Sequence, residues 1–116
     1  MPNSSIPVLR VSDYPRARKF WTETMGFKVG EEGGDPARFG IFHRGKATIF
    51  VDAWYGADAE ASPGWRAYFH VDDVDTFADS INWPAKEGPE NKVYGMREVV
   101  ITDPEGNRLC FGMDAE

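Results

Sequence analysis

One segment of this chain recurs sixty positions further on, and that repetition constrains the fold more than any other feature. Residues 8–21 (VLRVSDYPRARKFW) fall on residues 68–81 (YFHVDDVDTFADSI), matching Val11 with Val71, Asp13 with Asp73, Ala17 with Phe77 and Trp21 with Ile81. The same shift lays 40–52 (GIFHRGKATIFVD) on 100–112 (VITDPEGNRLCFG), so that Ile41 meets Ile101, Ala47 Asn107, Ile49 Leu109 and Val51 Phe111. Each of these latter stretches has two apolar, β-branched runs around a turn. In the second, the fixed φ of Pro104, the permissive Gly106 and the side chains of Asp103 and Asn107 make the turn; in the first it is Arg44-Gly45-Lys46. The chain reads as one unit written twice.

Within each copy the pattern is β-α-β-β-β. Residues 6–11 read as a strand, and Pro7 in it implies an edge position or a crossing arm. Ser12 or Asp13 then offers an N-cap and Pro15 a pre-set first turn. Ala17, Phe20, Trp21 and Thr24 recur at helical spacing up to the stop at Gly26. A strand at 27–29, a polar turn at 31–36 and a strand at 38–43 lead into the first hairpin. The period-free stretch 55–64 is expected to be a linker between module one (about 5–54) and module two (about 65–113) of a single 116-residue domain. Module two has a strand at 65–71 and a helix capped by Asp72 or Asp73, with Val74, Phe77, Ala78 and Ile81 on its inner face. Residues 84–92 (PAKEGPENK) are rich in breakers and are expected to form a mobile loop; strands follow at 93–102 and 107–113.

Side chains alternate across a strand, so one parity packs under the helices and the other faces away. The odd positions Leu9, Val11, Ile41, Ile49, Val51, Phe69, Val71, Val99, Ile101, Leu109 and Phe111 are uniformly apolar. The even positions mix aromatic, charged and polar groups, among them Phe42, Phe50, Asp52, Arg66, Tyr68, His70, Glu98 and Cys110. Aromatic groups are costly to leave in water, so that mixed face is expected to line a cleft for a ligand or partner.

Several function classes lose support. A net charge of −6 without a basic cluster disfavours nucleic acid and favours a neutral or cationic partner. No apolar run approaches the ~20 residues of a membrane helix, and the start MPNSSIPVLRVSD has no leader-like pattern, so a cytoplasmic location is expected. The single Cys110 excludes an internal disulfide and reads as a small buried filler.

The doubled unit, IPVLRVSDYPRARKFW, the Gly26-Phe27 pair and YGMREVVITDPEGNRLCFG together resemble the glyoxalase, bleomycin-resistance and extradiol-dioxygenase superfamily over essentially the whole chain. FWTETMGF, TIFVDAW and MREVVITDPEGNRLCF are most similar to the bleomycin-resistance proteins. The resemblance implies an α+β fold in which two tandem β-α-β-β-β modules form a curled mixed sheet with a ligand cleft, helices on the outer face. Metal-using members place four ligands at positions that correspond to Ile6, Phe50, Arg66 and Cys110, none a plausible member of a His, Glu or Gln set. The resistance proteins also lack that metal, so neither metal nor other cofactor is expected. Their likeness implies a homodimer that binds a bleomycin-like molecule unchanged in a crevice where subunits meet, and a proline at Pro7 goes with exchange of the first strand.

The candidate ligand contacts are Phe42, Phe50, Asp52, Trp54, Trp65, Arg66, Tyr68, His70, Glu98 and Cys110. Trp54 and Trp65 flank the linker, where family members close their groove; packing at the rim and stacking on a flat ligand are both open. Glu98 interrupts an apolar strand, either to salt-bridge Arg38 or Arg97 or, with Asp52, to attract a cation. The expected function is sequestration of an aromatic, cationic small molecule without turnover. Two alternatives stay open: a superfamily enzyme, a lyase or dioxygenase relative, with a non-standard or absent metal and His70 and Glu98 as acid-base pair; and an interaction module whose mixed face forms the dimer.

Overall fold

Each copy of the repeat builds its own four-stranded mixed sheet. The computed structural model describes residues 4–56 and 64–116, and the chain divides into two compact units, 1–61 and 62–116. The expected linker falls mostly outside the described residues. In the first unit β1 (Val8–Arg10), β2 (Lys28–Gly34), β3 (Ala37–Arg44) and β4 (Ala47–Asp52) lie in the order β1-β4-β3-β2; in the second, β5 (Trp65–His70), β6 (Lys86–Asn91), β7 (Met96–Thr102) and β8 (Arg108–Asp114) lie in the order β5-β8-β7-β6. The parallel pairs obey the sixty-residue shift: Val8 opposite Phe50 becomes Tyr68 opposite Cys110. The architecture is α+β, two modules of sheet and helix, with no closed barrel.

Helix α1 (Tyr14–Lys19) starts where Asp13 accepts from the Arg16 backbone N–H at 3.0 Å, and α2 (Val74–Ser80) where Asp73 accepts from that of Thr76 at 3.1 Å. Both caps satisfy donors that a helix start leaves open. Helix α1 continues into a π-helical turn (Phe20–Thr24) that swings Trp21 inward, its ring edge-on to Phe20 at 5.5 Å and Phe27 at 4.9 Å. Gly26 then exits at φ +73°, and Arg44 donates to the Met25 carbonyl at 2.7 Å. Under α1 the sheet buries Leu9, Ile49 and Val51; under α2 it buries Val99, Ile101, Leu109 and Phe111, with Phe111 stacked on Phe69 at 4.7 Å.

The expected loop at 84–92 is instead the edge strand β6. It pairs with β7 through a register shift between Glu87 and Glu90, and Gly88 at φ +99° with Pro89 occupies that irregularity. The ladder there does not need the N–H that proline lacks. The strand shows no alternation because most of it is exposed. Residues 93–95, expected as the start of a strand, form a turn in which Gly95 donates to the Lys92 carbonyl at 3.1 Å.

The two hairpins differ in a way that moves a face. In the first, Arg44 pairs with Ala47 across two residues, Gly45 and Lys46; in the second, Thr102 pairs with Arg108 across residues 103–107. A two-residue loop sets an even-numbered residue opposite an odd one, whereas a five-residue loop pairs like with like. The even-odd rule therefore holds through the second hairpin and inverts in β3. Phe42 pairs with Ile49 and lies beneath α1, 0% exposed, with its ring 6.4 Å from Tyr14. Ile41, expected in the core, turns to the other face.

Candidate ligand-binding faces

In the second unit the face opposite α2 collects Tyr68 and His70 from β5, Glu98 and Val100 from β7, and Cys110 from β8. Glu98 stands opposite Gly112 and is 1% exposed. A Cβ at Gly112 would lie 2.0 Å from the Tyr68 hydroxyl oxygen and 3.1 Å from Glu98 Cγ. Glycine is thus what lets Tyr68 lean over the sheet toward the carboxylate. Glu98 Oε1 accepts from the hydroxyl of Tyr94, on the turn between β6 and β7. Oε2 and the Tyr68 hydroxyl are both buried and make no hydrogen bond of full geometry among the described residues.

The Tyr68 ring is flanked by Trp65 and His70, each with its centroid 5.4 Å away. Burial, and then the Glu98 carboxylate, raise the Tyr68 hydroxyl well above its ordinary pKa, while the hydrogen bond to Glu98 leads in pushing Tyr94 up to about 12. Cys110, opposite Tyr68 and fully buried, has its thiol pushed up to about 12 by burial first and Glu98 second. It is a thiol at neutral pH, without nucleophilic character. Arg66 is half-buried in β5. Arg97 spends its guanidinium on Asp75, with both bonds at 2.8 Å, rather than on Glu98.

In the first unit the face opposite α1 carries Phe50 and Asp52 from β4 with Phe39 and Ile41 from β3. The Phe39 and Phe50 rings meet edge-on at 5.3 Å. Asp52 accepts from the Trp54 backbone N–H at 2.8 Å and so shapes the exit from β4. Trp54 is exposed, with the Arg38 guanidinium 4.6 Å over its ring, which occupies one face that stacking on a ligand would need. Phe42 is absent from this face, for the hairpin reason given above.

The sequence reading missed Phe39, Ile41 and Tyr94. The first two follow from counting the turn as two residues instead of three; Tyr94 had only Gly95 beside it as a hint of a turn. The aliphatic, phenyl, guanidinium and deeply protonated thiol at Ile6, Phe50, Arg66 and Cys110 do not fit a divalent ion. Among the described residues no group of three or more His, Cys, Asp or Glu is placed to hold one, and no helix is long and apolar enough to cross a membrane.

Comparison with known proteins agrees with this architecture. Many solved structures share the fold, among them the following three. A bleomycin-binding protein in complex with bleomycin is 21% identical, with 97% of this chain and 99% of that one aligned at a TM-score of 0.79. The bleomycin-binding protein of bleomycin-producing Streptomyces verticillus, in complex with copper(II)-bleomycin, is 22% identical, with 100% and 98% aligned at 0.73. A lactoylglutathione lyase from Agrobacterium tumefaciens is 22% identical, with 96% and 93% aligned at 0.72. A comparison with curated proteins finds no match. The family model of the Glyoxalase/Bleomycin resistance protein/Dioxygenase superfamily matches residues 6–111, nearly the whole chain, and to that superfamily this protein belongs.

Proposed function

We propose that the protein binds and sequesters an aromatic, cationic small molecule without changing it, in the manner of the bleomycin-binding proteins whose fold it shares. The observation that carries this reading is the second unit's face opposite α2, where a buried carboxylate with one oxygen short of a donor, Glu98, adjoins Tyr68, whose ring lies between Trp65 and His70. Rings supply contact area and the carboxylate supplies charge. The thiol and the phenol nearest Glu98 are poor nucleophiles: Cys110 and Tyr68 both hold their protons far above neutral pH. We propose further that the chain acts as a cytoplasmic homodimer, the half-exposed Ile6 and Val8 at the β1 edge being apolar surface suited to a subunit contact.

The test is calorimetric titration of metal-free bleomycin into the purified protein, with tryptophan fluorescence followed in parallel. The expected result is micromolar or tighter binding at one ligand per subunit, drug recovered chemically unchanged, and binding lost in Trp65→Ala. Absence of heat and quenching up to millimolar drug would sink the assignment. A modified drug, or activity requiring an added metal, would turn the reading to a superfamily enzyme with His70 and Glu98 as acid and base.

A further inference from the structure

The described chain buries three polar side chains, Glu98, Asp103 and Asn107, and treats them differently. Asp103 is fully engaged within its turn: Oδ1 accepts from the backbone N–H groups of Glu105 at 2.9 Å and Asn107 at 2.7 Å, and Oδ2 from the Asn107 amide at 2.9 Å. Glu98 is half engaged. Its Oε1 is taken by the Tyr94 hydroxyl, while Oε2 meets no donor at full hydrogen-bond geometry; the Tyr68 hydroxyl and the Cys110 thiol lie near enough to Glu98 for it to raise the pKa of both. A carboxylate oxygen buried without a donor is costly, and the cost is recovered when a donor arrives.

The donor already present is replaceable. Tyr94 is 57% exposed on a turn held by its own backbone, with Lys92 N–H donating to Met96 O at 2.7 Å and Gly95 N–H to Lys92 O at 3.1 Å. Rotation of that single side chain would free Glu98 Oε1 without breaking the turn. Trp65, 45% exposed, lies against Tyr68 and extends its aromatic surface along β5.

Resting on the binding reading above, we propose that Glu98 is the specificity anchor for an organic cation bearing N–H, which displaces the Tyr94 hydroxyl and sets its ring system against Trp65 and Tyr68. A primary ammonium supplies enough donors for Oε1, Oε2 and the Tyr68 oxygen together. A quaternary ammonium carries the same charge but no donor, and leaves Oε2 as it was. The site thus selects on hydrogen-bond donation and not on charge alone.

Three probes of matched ring system separate these possibilities: 1-naphthylmethylamine, its N,N,N-trimethyl analogue, and 1-naphthalenemethanol. Affinities are read from amide shift perturbation in two-dimensional NMR on the wild-type protein, Glu98→Gln and Tyr94→Phe. The expected result is that the amine binds about tenfold or more tightly than the other two, the worth of a charge-assisted hydrogen bond. Glu98→Gln abolishes that preference, and Tyr94→Phe, which removes the competing donor, strengthens amine binding about threefold or more. The proposal is overturned if the trimethylated probe binds within twofold of the amine, if Glu98→Gln keeps the preference, or if Tyr94→Phe leaves amine affinity unchanged. It is also overturned if none of the three probes binds, whereas sequestration itself stands or falls on the bleomycin titration. Should Glu98→Gln fail to give a folded spectrum, the wild-type preference and the Tyr94→Phe variant decide the matter.

Discussion

Phe42 and Cys110 show how far a residue's role depends on which side of a strand it occupies. On a ligand-lining face, Phe42→Ala would weaken binding and leave stability nearly intact. Beneath α1, fully buried against Ile49 and Tyr14, the same change should destabilise the protein by about 3–5 kcal/mol, as for other buried phenylalanines. Urea denaturation measures this, and a loss under about 1 kcal/mol would contradict the inward assignment. Cys110 yields a pH prediction. Its thiol ionises near 9 in an unfolded chain and at about 12 in the folded one, so above pH 9 the unfolded state sheds a proton that the folded state retains. The thiol's share of stability is present below about pH 9 and falls progressively toward pH 12. Chemical denaturation of wild type and Cys110→Ala across pH 7–10.5 should show a smaller alkaline loss in the variant; parallel curves would refute burial of a protonated thiol.

At the scale of elements, the second unit explains why a segment full of breakers becomes a strand. Lys86, the first residue of β6, donates to the carbonyls of Ala78 at 2.8 Å and Ile81 at 3.0 Å, so the strand ties off the end of α2. Lys86→Met keeps the aliphatic stem and removes the donors; it should cost about 1.5–3 kcal/mol, the range for hydrogen bonds to a charged group. It should also speed amide exchange in the last turn of α2, and unchanged exchange would show that the tie is idle. None of this was legible in PAKEGPENK, because an exposed edge strand carries neither apolar alternation nor a need for every N–H. The caps were legible: Asp13 and Asp73 bring their reason with them, a short side-chain acceptor before a periodic apolar run. The repeat carries the parallel register of one unit into the other. The face of β3 did not, because parity crosses a hairpin correctly only when the turn is counted to the residue. Reading Gly45-Lys46 as the whole loop would have set Phe39 and Ile41, rather than Phe42, beside Phe50. Glu98 stood out as an acid inside an apolar strand, whereas its partner Tyr94 lies on a turn that no periodicity marks.

For the whole molecule, the charge of −6 and the buried Glu98 attract a cation in different ways that salt separates. The field of the net charge acts at long range and hastens encounter; it is screened within about 8–10 Å at ordinary ionic strength. A contact at Glu98, 1% exposed, forms where counter-ions do not reach and governs departure instead. If the proposed ligand is held by Glu98, raising salt from about 0.05 to 0.5 M should slow association several-fold and change dissociation little. Stopped-flow tryptophan quenching with metal-free bleomycin measures both rates, Trp65 reporting from beside Tyr68. A dissociation rate that climbs with salt as steeply as association falls would mean that surface carboxylates hold the cation. The same series under dilution bears on assembly. Should each cleft need two subunits, amplitude will fall once the protein drops below its dimerisation constant, while Glu98→Gln lowers affinity at every concentration. Sedimentation at the matching concentrations should then report twice the chain mass wherever full amplitude is seen.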